Sequence, residues 1–239
     1  MNIHYFSFIL PLLAGLATLI GYFFIYFPSR YQDAFIPFFL SLSAGVMISI
    51  SLFSLIPEGI SFTSTPFLFL LLGILFAYFI DLVLPKESHY SLYRVGIFST
   101  IILILHNIPE GITTYLSTSY QLSFGLFLSL AIGFHNIPEG ISVAVPIYYS
   151  THSHLKAFFY TLMAGFSELF GAILASLFLP EFMASSFGFL FLLTAGIMLY
   201  ISFFELFPNS FHYCHLKSTF WGFIVGFFLM IVCIFVFSI

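Results

Sequence analysis

The residues His-Asn-Ile-Pro-Glu-Gly-Ile occur twice, at His106–Ile112 and again at His135–Ile141, an offset of 29 positions (135 − 106 = 29). On a helix, His106 and Glu110 are i and i+4 and share one face, with Asn107 close beside them. His135, Asn136 and Glu139 repeat that arrangement. Each copy carries a proline, Pro109 or Pro138, which removes a backbone donor and frees the carbonyl of Leu105 or Phe134. Glu168, in the next apolar stretch, lies at a similar depth. Two neutral imidazoles, two amide oxygens and two or three carboxylates make a nitrogen–oxygen donor set. Such a set suits Zn²⁺, Fe²⁺, Mn²⁺ or Co²⁺, and not Cu(I), which prefers thiolates and thioethers. A single His-Asn pair in an apolar helix is ordinarily a helix–helix hydrogen bond. Two copies, each with its own glutamate and proline, favour a bound cation.

The elements that hold these residues follow from composition. The chain has 239 residues, 61% hydrophobic, 22% aromatic and only 6% charged. A soluble domain carries roughly a quarter charged residues. A water-soluble globule of this composition could not cover its surface, and five Lys plus Arg cannot form a basic face for nucleic acid. An integral membrane protein remains, and apolar segments without alternation must be helices, since lipid offers the backbone no partners. A span needs about 20 mostly apolar residues. Eight such stretches run over 4–27, 36–57, 66–84, 95–115, 122–147, 156–179, 184–207 and 216–237. Breaks are expected at Pro28–Arg30, Pro57–Gly59, Pro85–Glu87, Ser117–Ser119, Ser150–Lys156, Pro180–Glu181 and Pro208–Ser210. The connections are short, so consecutive spans are antiparallel, and residues 1–239 read as one transmembrane domain. The first span reads as a retained helix. Cys214 and Cys233 are too few for a disulfide framework.

Glu110, Glu139, Glu168 and Glu205 all fall inside spans, without an internal Lys or Arg. An ionised side chain at the bilayer centre costs about 2.5–3.5 kcal/mol even on lenient scales, so these carboxylates must be protonated, hydrogen-bonded or neutralised by a cation. Glu205, near the end of the seventh span, is expected to reach water. Asp81 is expected at a solvated or Lys86-paired helix end. Glu58 ends the second span, and His152, His154, His212, Cys214 and His215 read as loop residues. A second repeat pairs Ala44–Pro57 (AGVMISISLFSLIP) with Ala195–Pro208 (AGIMLYISFFELFP), identical at eight of fourteen positions. These lie in the second and seventh spans, which cross in opposite directions. The pattern is that of an inverted-topology repeat, with spans 1–3 related to 6–8 and two spans between.

The two HNIPEG segments resemble the ZIP (Zrt/Irt-like) family of divalent-metal transporters, in its bacterial ZupT-type branch. The likeness extends through PLLAGLATLIG in the first span, AGVMISISLFSLIP in the second, DLVLP after the third, HNIPEGISVAVPIYY in the fifth and AGFSELFGA in the sixth. It implies eight helices in a 3+2+3 order with both termini outside, in a bacterial inner membrane. It also implies that His106, Asn107, Glu110, His135, Asn136, Glu139 and Glu168 hold the transported metal, with Glu110 bridging two ions and Met47 a soft candidate. A block of spans 1, 4, 5 and 6 is implied to move against the rest. The expected partners are divalent metal ions and the lipid bilayer, with no prosthetic group and no nucleic acid; a homodimer is left open. The branch usually has Glu where this chain has Ser54, and the third connection holds only His89. The alternative, an intramembrane metal-dependent enzyme, would need HExxH or clustered histidine boxes, and neither pattern occurs.

All five basic residues, Arg30, Lys86, Arg94, Lys156 and Lys217, lie in or beside odd-numbered connections, which the positive-inside rule places in the cytoplasm. A single cysteine at position 121, in a chain lacking Cys214 and Cys233, should therefore react with an impermeant thiol reagent on intact cells. One at position 89 should not. The opposite labelling pattern overturns the orientation.

Overall fold

The computed structural model describes residues 3–26, 32–83, 92–178, 185–212 and 214–237. Arg30, Pro85, Lys86, Glu87, His89 and the Pro180–Glu181 break lie outside the described residues. The described elements are helical: α1 (Ile3–Tyr22, extended by a 3₁₀ turn to Tyr26), α2 (Gln32–Ile50), α3 (Ile56–Phe62), α4 (Pro66–Val83), α5 (Leu92–Tyr120), α6 (Leu122–Thr151), α7 (His154–Phe178), α8 (Ser185–Ile201), α9 (Phe207–Phe211) and α10 (Leu216–Phe237). Among the described residues, eight helices are long and apolar enough to cross a membrane. Large apolar side chains such as Phe67, Phe79 and Leu177 point outward, as an acyl-chain solvent allows. The protein is an all-α polytopic membrane protein, in the 3+2+3 order with an inverted repeat.

Three expected breaks, at Pro57–Gly59, Ser117–Ser119 and Pro208–Ser210, are helical. Past Ile50 and Ile201 the chain winds through one π turn each, Ser51–Leu55 and Ser202–Leu206, and continues as α3 and α9. The amide of Ile56 donates to the Ser51 carbonyl, and that of Phe207 to the Ser202 carbonyl, each five residues back. Pro57 and Pro208 therefore fall in the first turn of the next helical segment, where a missing N–H costs little. The two turns stand at matching places in the repeat (51 + 151 = 202). Likewise α5 runs unbroken through Pro109 and on past Ser117–Ser119 to Tyr120, and α6 through Pro138 and Pro146. The turn after α6 is made by His152 in the left-handed conformation, φ 49°.

The packing divides the helices into two groups. One holds α1, α5, α6 and α7; the other holds α2–α3, α4, α8–α9 and α10. The nearest neighbours that a Cβ would meet at each of the sixteen glycines belong to that glycine's own group. Between the groups, contact is made by α2 and α10 against α6 and by α5 against α8. Larger side chains take part there, as where Phe24 meets Phe39 with ring centroids 4.6 Å apart.

The close backbone approaches obey a pseudo-two-fold. A Cβ at Gly15 would strike the Gly165 carbonyl, and one at Gly165 the Gly15 carbonyl. Gly140 faces the Thr18 carbonyl as Gly111 faces that of Glu168, and Gly21 faces Ile137 as Gly171 faces Ile108. In the other group Gly73 faces the Leu193 carbonyl as Gly226 faces that of Leu42. The equivalence links α1 to α7 at an offset of 150, α2 to α8 at 151, α4 to α10 at 153, and exchanges α5 with α6.

These approaches predict a sharp contrast. Gly15→Ala drives a methyl group into backbone, so it should destabilise by about 1–3 kcal/mol or more and lower the melting temperature of the purified protein. Gly133→Ala meets only Ala17 and Ala14, the nearer atom 3.7 Å away. It should melt at or above the wild-type temperature, since alanine is the better helix former by about 1 kcal/mol.

Candidate metal centre

The exchange of α5 with α6 brings the two HNIPEG motifs face to face. His106 Nε2 lies 3.3 Å from Glu139 Oε1, and His135 Nε2 lies 3.3 Å from Glu110 Oε1. Each imidazole thus meets the glutamate of the other motif, not the one four residues along its own helix. The asparagines anchor the outer side of the same axis. Asn107 Nδ2 donates to the Ala164 carbonyl of α7 at 2.9 Å. Asn136 Nδ2 donates to the Ala14 carbonyl of α1 at 2.8 Å, the symmetry-related contact (14 + 150 = 164).

Glu168 of α7 joins from one side, where Asn136 Nδ2 also donates to Glu168 Oε1. The seven expected residues are therefore gathered at the meeting of α1, α5, α6 and α7. None is more than 5% exposed. Several of their polar atoms lack a hydrogen-bond partner among the described residues: His106 Nδ1, Asn107 Oδ1, Glu168 Oε2 and both carboxylate oxygens of Glu139. Glu139 stands at ion-pair distance from His106 without the alignment of a hydrogen bond. Buried polar atoms left unpaired cost about 1–3 kcal/mol each. No three of the described His, Cys, Asp and Glu side chains are gathered as a ready-made metal cage. What is formed is two crossed His–Glu pairs with spare acceptor atoms around them.

The remaining polar residues fall elsewhere. Asp81, half-buried near the end of α4, accepts from Arg94 Nη2 at 2.8 Å and from the Tyr200 hydroxyl at 3.0 Å; its expected neighbour Lys86 lies outside the described residues. The Arg94 contact links α4 of one helix group to α5 of the other. Glu205, expected to reach water, is buried at 5% exposure, because the π turn keeps it inside the bundle. Its Oε1 has no hydrogen-bond partner among the described residues. The premise that Glu205 is a solvated end therefore falls. Ser54, its repeat equivalent, is buried as well. Met47 is buried in the apolar core together with its equivalent, Met198. The His154 ring stacks on Tyr26, centroids 5.0 Å apart, while His212, Cys214 and His215 are exposed.

An eight-span bundle with an inverted repeat and a buried axis of His, Asn and Glu side chains has the architecture of a polytopic membrane transporter. The family model described as ZIP Zinc transporter matches residues 85–234. The chain is 39% identical over 259 aligned positions to the zinc transporter ZupT of Oceanobacillus iheyensis, covering 95% of this chain and 96% of that protein. It is 38% identical over 254 positions to ZupT of Akkermansia muciniphila, covering 93% and 94%. It is 36% identical over 263 positions to ZupT of Streptococcus mutans, covering 99% and 100%. The chain belongs to the ZIP family, and it is a transporter of divalent metal ions, not an enzyme.

Proposed function

We propose that this chain carries Zn²⁺ into the cytoplasm, with Fe²⁺, Mn²⁺ and Co²⁺ as further candidates, through a site built from His106, Asn107, Glu110, His135, Asn136, Glu139 and Glu168. The observation that carries this reading is the crossed pairing of the two motifs beside unpartnered acceptors, all buried. An imidazole that faces a carboxylate in the empty carrier can turn both groups onto a divalent ion, which neutralises two carboxylates at once. The ligand set is nitrogen and oxygen throughout, which suits the borderline ions named above. The names of the relatives favour zinc among them.

The whole chain, 1–239, acts as one transport unit. The group of α1, α5, α6 and α7 holds the site and moves against the other group, which lacks close glycine contacts with it. The odd-numbered connections face the cytoplasm and both termini face outward, in a bacterial inner membrane.

Two outcomes test the site. Glu110→Gln and Glu139→Gln keep the side-chain volume but leave a divalent ion short of a counter-charge. Each should lower initial Zn²⁺ uptake per unit of membrane protein by about 100-fold or more, given that an uncompensated buried charge costs about 3–5 kcal/mol. Uptake near wild type in both variants places the pathway elsewhere. Protons compete with metal for the imidazole nitrogens, whose reference pKa is about 6.5. With the imposed Zn²⁺ gradient held fixed, uptake should fall as pH drops through that range. A steady rise on acidification would instead indicate coupling to protons.

A further inference from the structure

The pseudo-two-fold that governs the glycine contacts, the asparagine anchors and the His–Glu pairs is broken in charge at positions 18 and 168, beside the site. Position 168 in α7 corresponds to position 18 in α1 (18 + 150 = 168). The equivalence is geometric. A Cβ at Gly15 would lie 3.3 Å from the Glu168 Cβ, and a Cβ at Gly165 would lie 3.2 Å from Thr18 Oγ1. Gly111 faces the Glu168 carbonyl as Gly140 faces that of Thr18. Both side chains are completely buried.

Their chemistry differs. Glu168 accepts from Asn136 and keeps Oε2 unpartnered. The Thr18 hydroxyl turns back to donate to the Gly15 carbonyl at 2.6 Å. Asn107, the equivalent of Asn136, therefore lacks the carboxylate that symmetry would place beside its Nδ2, which donates to the Ala164 carbonyl alone, while the Oδ1 atoms of both asparagines have no hydrogen-bond partner among the described residues.

We propose that Thr18 and Glu168 are the two symmetry-related ends of one divalent-cation site, and that the uncharged end at Thr18 polarises the site toward its Asn136–Glu168 half. This rests on the metal site proposed above and adds a determinant in α1. The two crossed pairs offer the ion equivalent surroundings on either side of the axis. The third carboxylate breaks the tie. One half binds the cation firmly, and the Asn107 half binds it weakly enough to pass it on.

The backbone around Thr18 is built like that around Glu168, so the carboxylate is movable. Glu168→Thr should lower Zn²⁺ uptake by about tenfold or more. The double variant Thr18→Glu/Glu168→Thr should recover to within about threefold of wild type, a coupling of the size that neighbouring residues show. Uptake is measured in proteoliposomes with the full chain, normalised to reconstituted protein. Thr18→Glu alone supplies both ends. It should lower KM and kcat together, because an ion held by an added carboxylate leaves slowly. Zn²⁺ should also raise its melting temperature more than that of wild type. If the double variant folds, melts like Glu168→Thr and transports no better, the proposal is overturned. If the double variant does not fold, the single variant decides: an unchanged KM and an unchanged Zn²⁺ shift overturn it. Full uptake by Glu110→Gln and Glu139→Gln would show separately that the underlying metal site is wrong.

Discussion

A carboxylate inside a bilayer cannot turn to water, so it must be neutralised by something the protein brings to it. That constraint organises this molecule. The described cationic side chains stand at helix ends, as Arg94 does, and none stands beside the buried axis. The chain answers by crossing the motifs, so that each histidine faces the glutamate of the neighbouring helix. The crossing requires α5 and α6 to run side by side about an axis, and it fixes the rest. The asparagines must reach outward to carbonyls of α1 and α7. Those helices must come close enough to be reached. Glycines at the contacts permit it. The polar centre and the small-residue packing are thus two halves of one arrangement.

The two helix groups differ from each other less than either differs from the boundary between them. Within a group, backbones touch at glycines, and a methyl group would collide. Across the boundary, aromatic and aliphatic side chains meet, and such surfaces slide past one another at smaller cost than interlocked backbones. The ion pair from Arg94 to Asp81 crosses this boundary near the helix ends, and Tyr200 supports Asp81 from the same side as α4. The structure therefore joins the helix group that holds the polar site to the second group through contacts of a different kind.

Much of this was legible in the residues. The doubled HNIPEG marks the residues gathered on the buried axis, apolar length counts the spans, and the match of Ala44–Pro57 with Ala195–Pro208 discloses the inversion. The i and i+4 spacing suggested His106 with Glu110. The partner is Glu139, because a shared helix face says nothing of what the opposite helix presents. Pro57 and Pro208 read as stops, yet a π turn hides the missing donor, and no residue type announces such a turn. Distance along the span suggests that Glu205 reaches water, whereas the fold buries it, and the Arg94 partner of Asp81 stands thirteen residues away on the next helix, beyond what local spacing discloses. The kinship of α1 with α7 is faint in the sequence. Leu12, Ala14, Gly15, Leu19 and Gly21 match Leu162, Ala164, Gly165, Leu169 and Gly171, but in small and apolar residues common to every span, and Thr18 against Glu168 conceals the equivalence that geometry makes plain.

The 3+2+3 order also has a consequence of parity. The second copy of the three-helix unit begins five crossings after the first, and an odd number of crossings reverses direction. The same unit must therefore be able to sit in the membrane either way up. A stretch with few fixed charges has little to choose between the two orientations, and the scarcity of Lys and Arg here meets that need. A descendant of such a unit inherits a built-in ambidexterity: each half presents to one compartment what its twin presents to the other. A carrier that opens by turns to two sides then needs no second design for its second door.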